Sequence, residues 1–249
     1  LRDDDSPEDP TLVGAADASA ITPSSSSSGP HLSLDGLYGL SSHRRGSCQY
    51  GTETGLIYST GGGVATCDRW NAQRMLTGHM DGVIGQIAVS GDERFLALEA
   101  KQPASKQSIV SVFPVNGSTR LGQLPDPPLA SYLSHLAFSS SGDVIMTVGD
   151  DALRTVNMFI SLGASSWASA ERVVSIPSLN PSITFLLPVP SSFAALSGTT
   201  ALFATGGAEN LCFWSLGPRS KGAGSTVKLA RAESSFDERV LDDVLSQPM

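Results

Sequence analysis

The chain has 249 residues, of which 40% are hydrophobic and only 16% charged, and its formal net charge is −8. That charge argues against general nucleic-acid binding, which needs clustered Lys and Arg against phosphate. No apolar run approaches the ~18 residues of a membrane-spanning helix, so no membrane partner is expected.

Leu1 opens the sequence, and no charged-then-apolar leader follows it, so the chain reads as a piece of something longer without a visible secretory signal. Residues 1–34 hold Asp3, Asp4, Asp5, Glu8, Asp9 and Asp17 against a single Arg2, and then the tract Ser24–Ser28. Such a segment cannot bury enough apolar area to offset the entropy of ordering it, and a disordered acidic head is predicted. A basic stretch, His43-Arg44-Arg45, comes next.

From about residue 35 to 217, short apolar runs alternate with turn signals. The first unit has Gly55–Ser59, the turn Gly61-Gly62-Gly63, and Val64–Asp68. The second opens at Gly78-His79, runs through Ile84–Val89, turns at Ser90-Gly91-Asp92, and continues with Phe95–Leu98 and Ile109–Phe113. The third has Leu133–Phe138, the turn Ser140–Asp143, Val144–Gly149 and Arg154–Phe159. The fourth has Ser182–Leu186, Thr200–Thr205, Gly206-Gly207 and Asn210–Trp214.

The repeat length of roughly 45 residues is that of one four-stranded propeller blade. In such a blade the inner strands are covered on both faces, and a shorter, more polar outer strand is expected. Small residues (Gly85, Ala88, Ala97, Ala137 and Ala204) would let blade faces stack closely. A β-sandwich would also give short strands, but not a recurring Ser-Gly-Asp turn before the same apolar block. Residues 218–249 read as a loop followed by a short helix, with Phe236, Val240, Leu241, Val244 and Leu245 at helical spacing.

The order Gly78-His79, Ile87–Asp92, Phe95-Leu96-Ala97 resembles the WD40 pattern of Gly-His, inner strand, Ser-x-Asp-Gly turn and next strand. The resemblance implies an all-β, WD40-type β-propeller, with about four degenerate blades that form part of a larger ring. It also implies a structural role for His79. Phe113-Pro114, Phe159-Ile160 and Trp214-Ser215 stand where the family has Trp-Asp, and Trp214 alone keeps the tryptophan. Gly55–Val64 leading into Gln73-Arg74-Met75-Leu76-Thr77-Gly78-His79 is more specifically similar to the EMAP-like (echinoderm microtubule-associated protein-like) and ciliary or centriolar WD40 proteins. That likeness implies a non-catalytic scaffold on tubulin or other axonemal or centriolar proteins, located in the cytoplasm and cytoskeleton of a cilium, flagellum or centriole. It implies no cofactor. A general WD40 adaptor assembling a soluble complex is the alternative.

Catalytic patterns are weak. There is no Gly-x-Ser-x-Gly, and neither Gly61-Gly62-Gly63 nor Lys221–Thr226 has the order of a phosphate-binding loop. His31, His43, His79 and His135 have no metal-ligand spacing, and Cys48, Cys67 and Cys212 read as free thiols. Asp150-Asp151 reads as a solvated turn rather than a cation site. Arg44, Arg45, Lys101 and Lys106 are the candidate partner contacts, the two lysines in a loop expected between Glu99 and Ser108, because tubulin is acidic.

Overall fold

The computed structural model describes residues 46–51, 55–60, 63–67, 73–76, 82–102, 108–125, 132–163, 166–178, 182–196, 201–207, 211–217 and 229–234. All of them lie in the unit Gly36–Met249. The acidic head and the expected C-terminal helix lie outside the described residues, as do His79, Arg44, Arg45 and Lys106.

Among the described residues sixteen strands form four antiparallel sheets, each a simple meander. Blade 1 contains β1 (Cys48–Gly51), β2 (Gly55–Ser59), β3 (Val64–Cys67) and β4 (Gln73–Leu76). Blade 2 contains β5 (Val83–Val89), β6 (Phe95–Lys101), β7 (Ser108–Pro114) and β8 (Gly122–Gln123). Blade 3 contains β9 (Leu133–Phe138), β10 (Val144–Gly149), β11 (Val156–Gly163) and β12 (Ser166–Ile176). Blade 4 contains β13 (Phe185–Pro188), β14 (Ala201–Gly206), β15 (Leu211–Leu216) and β16 (Leu229–Ser234), with a short helix α1 (Ser191–Leu196) between β13 and β14. The described residues include no helix long and apolar enough to cross a membrane.

The first strands of the blades touch in succession, β1 to β5, β5 to β9 and β9 to β13. This succession is what a propeller demands, and the side chains explain it. Strands are two-sided, and here both sides are apolar. On β6 and β7, Leu96, Leu98 and Phe113 face back and join Ile57 and Val64 of blade 1 in one core. Ala97, Val110 and Val112 face forward and join Ile145, Phe138 and Phe159 of blade 3. Met146, Val148 and Met158 in turn face forward onto Phe203, Cys212 and Trp214 of blade 4. Three cores therefore lie between sheets, and alternation along the strands of blades 2 and 3 divides their residues between two of them.

The turns between first and second strands follow their sequence signal. Ser90 Oγ donates to Asp92 at 2.6 Å and accepts from the Phe95 amide at 2.9 Å. Ser139 repeats the second bond, accepting from the Val144 amide at 3.1 Å. The two turns also touch, since a Cβ on Gly91 would come within 2.8 Å of the Ser140 carbonyl oxygen.

The Trp-Asp position holds its geometry while its chemistry decays. Phe113, Phe159 and Trp214 pair with Leu96, Ile145 and Phe203, and all three face the preceding blade. In blade 4 the buried Trp214 Nε1 donates to Thr205 Oγ1 at 2.7 Å. Thr147 stands at the corresponding place in blade 3, but Phe159 has no N–H to offer. The Thr147 hydroxyl is fully buried and makes no hydrogen bond among the described residues. Thr147→Val should therefore raise stability, by about 1 kcal/mol, because it replaces an unsatisfied buried hydroxyl with a methyl of similar volume. Urea denaturation of the two proteins measures this, and a lower midpoint for the variant would refute it.

One outer strand meets the expectation of a short one and another departs from it: β8 has only two residues, whereas β12 has eleven and is the longest strand among the described residues. Its hairpin with β11 keeps it long, with register shifts near Met158 and Ser161.

Candidate functional site

Strand ends and loops of blades 2 and 3 meet at one end of the sheets. Val83 pairs with Lys101, and Lys101 with Ser108, at that end of blade 2. Tyr132, Leu133 and Gly149 lie at the corresponding end of blade 3, where the Asp150 amide donates to the Tyr132 carbonyl oxygen at 2.9 Å.

Two charged residues of β6 join the blades here. Glu99 and Lys101 are two residues apart and so share the face directed at blade 3. Glu99 is buried, and its Oε1 accepts from Ser108 Oγ at 2.6 Å and from the Leu133 amide at 2.8 Å. The Lys101 Nζ donates to Tyr132 Oη at 2.5 Å and lies 3.7 Å from the centre of that ring. This combines a hydrogen bond with a cation–π contact. The expected Glu99–Ser108 loop is thus shorter than its ends suggested, because Glu99 and Lys101 belong to β6 and Ser108 to β7. Lys101 is a half-buried tether between blades instead of a free loop cation.

Asp150 and Asp151 form the β10–β11 turn. Asp150 pairs with Arg154. The Asp151 carboxylate accepts from the Leu153 amide at 2.9 Å and from the Thr155 amide and hydroxyl at 3.2 Å each. These bonds hold Arg154 at φ 48°, in the left-handed region. The carboxylates thus organise the turn. Among the described residues no group of three or more His, Cys, Asp or Glu could hold a metal ion. Two large apolar side chains stand out at the same end, Val83 at 63% exposure and Leu153 at 59%.

At the opposite end, the Asp92 carboxyl is held below its usual range. Partial burial alone would raise it, but hydrogen bonds from Ser90 and Arg94 and the Arg94 charge outweigh that effect. Burial pushes the Cys48 thiol up, away from the thiolate that a nucleophile requires. Cys67 and Cys212 are also thiols that form no disulfide among the described residues. Trp214 lies in the core between blades 3 and 4.

The sequence singled out Lys101 as a loop contact and the Asp pair as a turn without bringing them together, missed Tyr132, and offered Glu99 only as a loop boundary. An acidic residue inside an otherwise apolar strand was the available signal, since a buried carboxylate needs donors nearby.

Neither a family model nor a curated protein sequence matches the chain. Solved structures do. Hsv2 of Kluyveromyces lactis is similar at 9% identity and TM-score 0.55, over 76% of this chain and 61% of that one. KlAtg21, solved in complex with the coiled-coil of AgAtg16, is similar at 17% identity and TM-score 0.51, over 73% of this chain and 54% of that one. A putative 6-phosphogluconolactonase from Bacteroides uniformis is similar at 8% identity and TM-score 0.51, over 76% and 54%. The chain spans about three fifths of the length of the first of these or less. None of the three is described as a microtubule or ciliary protein, so the likeness that stands is coarser than the EMAP-like one. At such identities it concerns the fold: the chain is an all-β, partial WD40-type β-propeller of four blades.

Proposed function

We propose that the chain is a non-catalytic propeller scaffold that binds protein partners at the loop end of blades 2 and 3. One observation carries this reading. At that end Lys101, Asp150 and Asp151 are engaged within the fold, while Val83 and Leu153 point large apolar surfaces at solvent. Exposed apolar side chains at an end where the neighbouring polar groups are already engaged suit a protein surface better than a small polar substrate. KlAtg21 was solved with a coiled coil, which is in keeping with a protein partner for a propeller of this kind.

A Val83→Asp/Leu153→Asp double variant tests the site, since both side chains are exposed and their replacement leaves the cores alone. Partners that co-purify with the unchanged protein should be lost, with the melting temperature held within a few degrees. Recovery of the same partners would remove this surface from consideration.

The narrower proposal is a tubulin or axonemal partner in cilium, flagellum or centriole, with Arg44, Arg45, Lys101 and Lys106 as contacts. It rests on the sequence resemblance, and Lys101 brings less to it than a free lysine would. It predicts co-sedimentation with polymerised tubulin that weakens as salt rises. No co-sedimentation at low salt would leave the general adaptor.

A further inference from the structure

We propose that Asn116-Gly117 is a site of spontaneous deamidation, and that Arg74 of blade 1 steers the reaction towards isoaspartate. The pair lies in the β7–β8 connection of blade 2, at the end opposite the partner surface, and the inference does not depend on that surface. The chain reverses there in a tight turn, with the Gly117 amide donating to the Pro114 carbonyl oxygen at 3.1 Å. The backbone on either side is held. Val115 is buried and its amide donates to the Arg94 carbonyl oxygen at 3.0 Å. Arg74 Nη2, on β4, donates to the Asn116 carbonyl oxygen at 2.9 Å. The Asn116 side chain, by contrast, is exposed, and its amide makes no hydrogen bond among the described residues. Gly117 has no Cβ, so nothing shields its nitrogen from that side chain.

The chemistry needs water and no other reagent. When the bond from Gly117 to Pro114 opens, the Gly117 nitrogen gives up its proton to solvent and attacks Cγ of Asn116. Nδ2 leaves as ammonia, and a five-membered imide closes. Water then breaks one of the two bonds between the imide nitrogen and its carbonyl carbons. Cleavage at Cγ gives aspartate. Cleavage at the former main-chain carbonyl gives isoaspartate, in which the chain runs through Cγ and that carbonyl carbon ends as a carboxylate. Arg74 holds the oxygen of this second carbonyl. Its guanidinium polarises the carbon that water must attack, and it pairs with the carboxylate that results. The modification therefore turns a neutral contact between blades 1 and 2 into an ion pair and lengthens the turn by a methylene. Asn157, buried on β11 and followed by Met158, has neither the exposure nor the glycine.

Trypsin cuts after Lys106 and Arg120, and Asn116 is the one asparagine between those cuts. The full chain, its Arg74→Ala variant and a synthetic peptide of residues 107–120 are incubated side by side in mildly alkaline buffer and then digested. The two products separate by chromatography, and each differs from the parent peptide by the exchange of NH2 for OH. The folded chain should convert Asn116 within about tenfold of the free-peptide rate, because a single exposed hydrogen bond, worth about 1 kcal/mol, closes the turn. Asn157 should stay intact. The ratio of isoaspartate to aspartate should be about two- to fivefold higher in the full chain than in Arg74→Ala, the range that a surface charge pair supports. Arg74 is exposed, so its truncation leaves the cores alone, and matching circular dichroism spectra verify the fold. A folded chain slower than that limit beside a converting peptide overturns the site. Equal product ratios in the chain and the variant overturn the part assigned to Arg74.

Discussion

Trp214→Ala should cost about 3–5 kcal/mol of stability, the usual toll for truncating a fully buried aromatic. Trp214 is wholly enclosed between blades 3 and 4, among Met146, Met158, Phe203 and Leu216. Truncation would open a cavity in a core already built from flexible methionines, and it would leave the Thr205 hydroxyl without its 2.7 Å donor. Trp214→Phe separates the two losses. It keeps most of the volume and reproduces the pairing of Phe159 with an unsatisfied threonine that blade 3 already tolerates. Its cost should be nearer 1–2 kcal/mol. Thr205→Val should cost a similar amount, and the double variant less than the sum, because both remove the same bond. Chemical denaturation of the four proteins measures these quantities. Additive effects would mean that the indole N–H contributes nothing through Thr205.

Gly122→Ala should be almost as damaging, at about 3 kcal/mol, although it adds a single methyl group to a half-buried position. A Cβ there would lie 1.8 Å from the Trp167 carbonyl oxygen and 2.8 Å from its carbon. Something must move, and both atoms are backbone. Gly122 belongs to β8 and Trp167 to β12, so the outer strands of blades 2 and 3 would be forced apart. Trp167 would then lose its edge contact with Phe138, at 5.7 Å between ring centres, and its bond to the Gly142 carbonyl oxygen at 3.2 Å. Gly163→Ala is the control, because its Cβ would meet only Ser166 atoms at 3.7 and 3.9 Å. Thermal melts should place Gly163→Ala near the unchanged protein and Gly122→Ala far below it. Equal melting temperatures would show that the blade edges yield without cost.

Much of this architecture was legible in the sequence. The middle strands declare themselves because burial on both faces makes them continuous apolar runs, as in Val144–Gly149, all buried. The Ser-Gly-Asp turn is legible because its bonds are local, spanning two to five residues. Outer strands hide for the opposite reason. The first seven residues of β12, Ser-Trp-Ala-Ser-Ala-Glu-Arg, are mostly exposed or half-buried, and they are in a strand because β11 lies beside them. β8 is two residues held against Val112 and Ser111. Propensity cannot announce a strand that its neighbour makes.

The candidate site divides in the same way. The Asp151 turn was readable as a turn, since its bonds reach only four residues. The Glu99–Leu133 bond spans 34 residues and the Lys101–Tyr132 bond 31, so each depends on blade 3 arriving beside blade 2.

The sequence by itself determined that four units of strand, turn and strand would form and where their turns would fall. It ended the last at Trp214, whereas β16 (Leu229–Ser234) lies beyond it, in a span read as loop, and completes that sheet against β15. Alternation with a period of two also determined that each strand would have two faces. Only the tertiary structure decided which neighbour each face would meet. Phe159 turns back to blade 2 and Met158 forward to blade 4, Thr147 is stranded while Thr205 finds an indole, and Lys101 reaches across to Tyr132. Those assignments come from sheets stacking on sheets, a long-range packing of apolar faces that no local signal in the chain encodes.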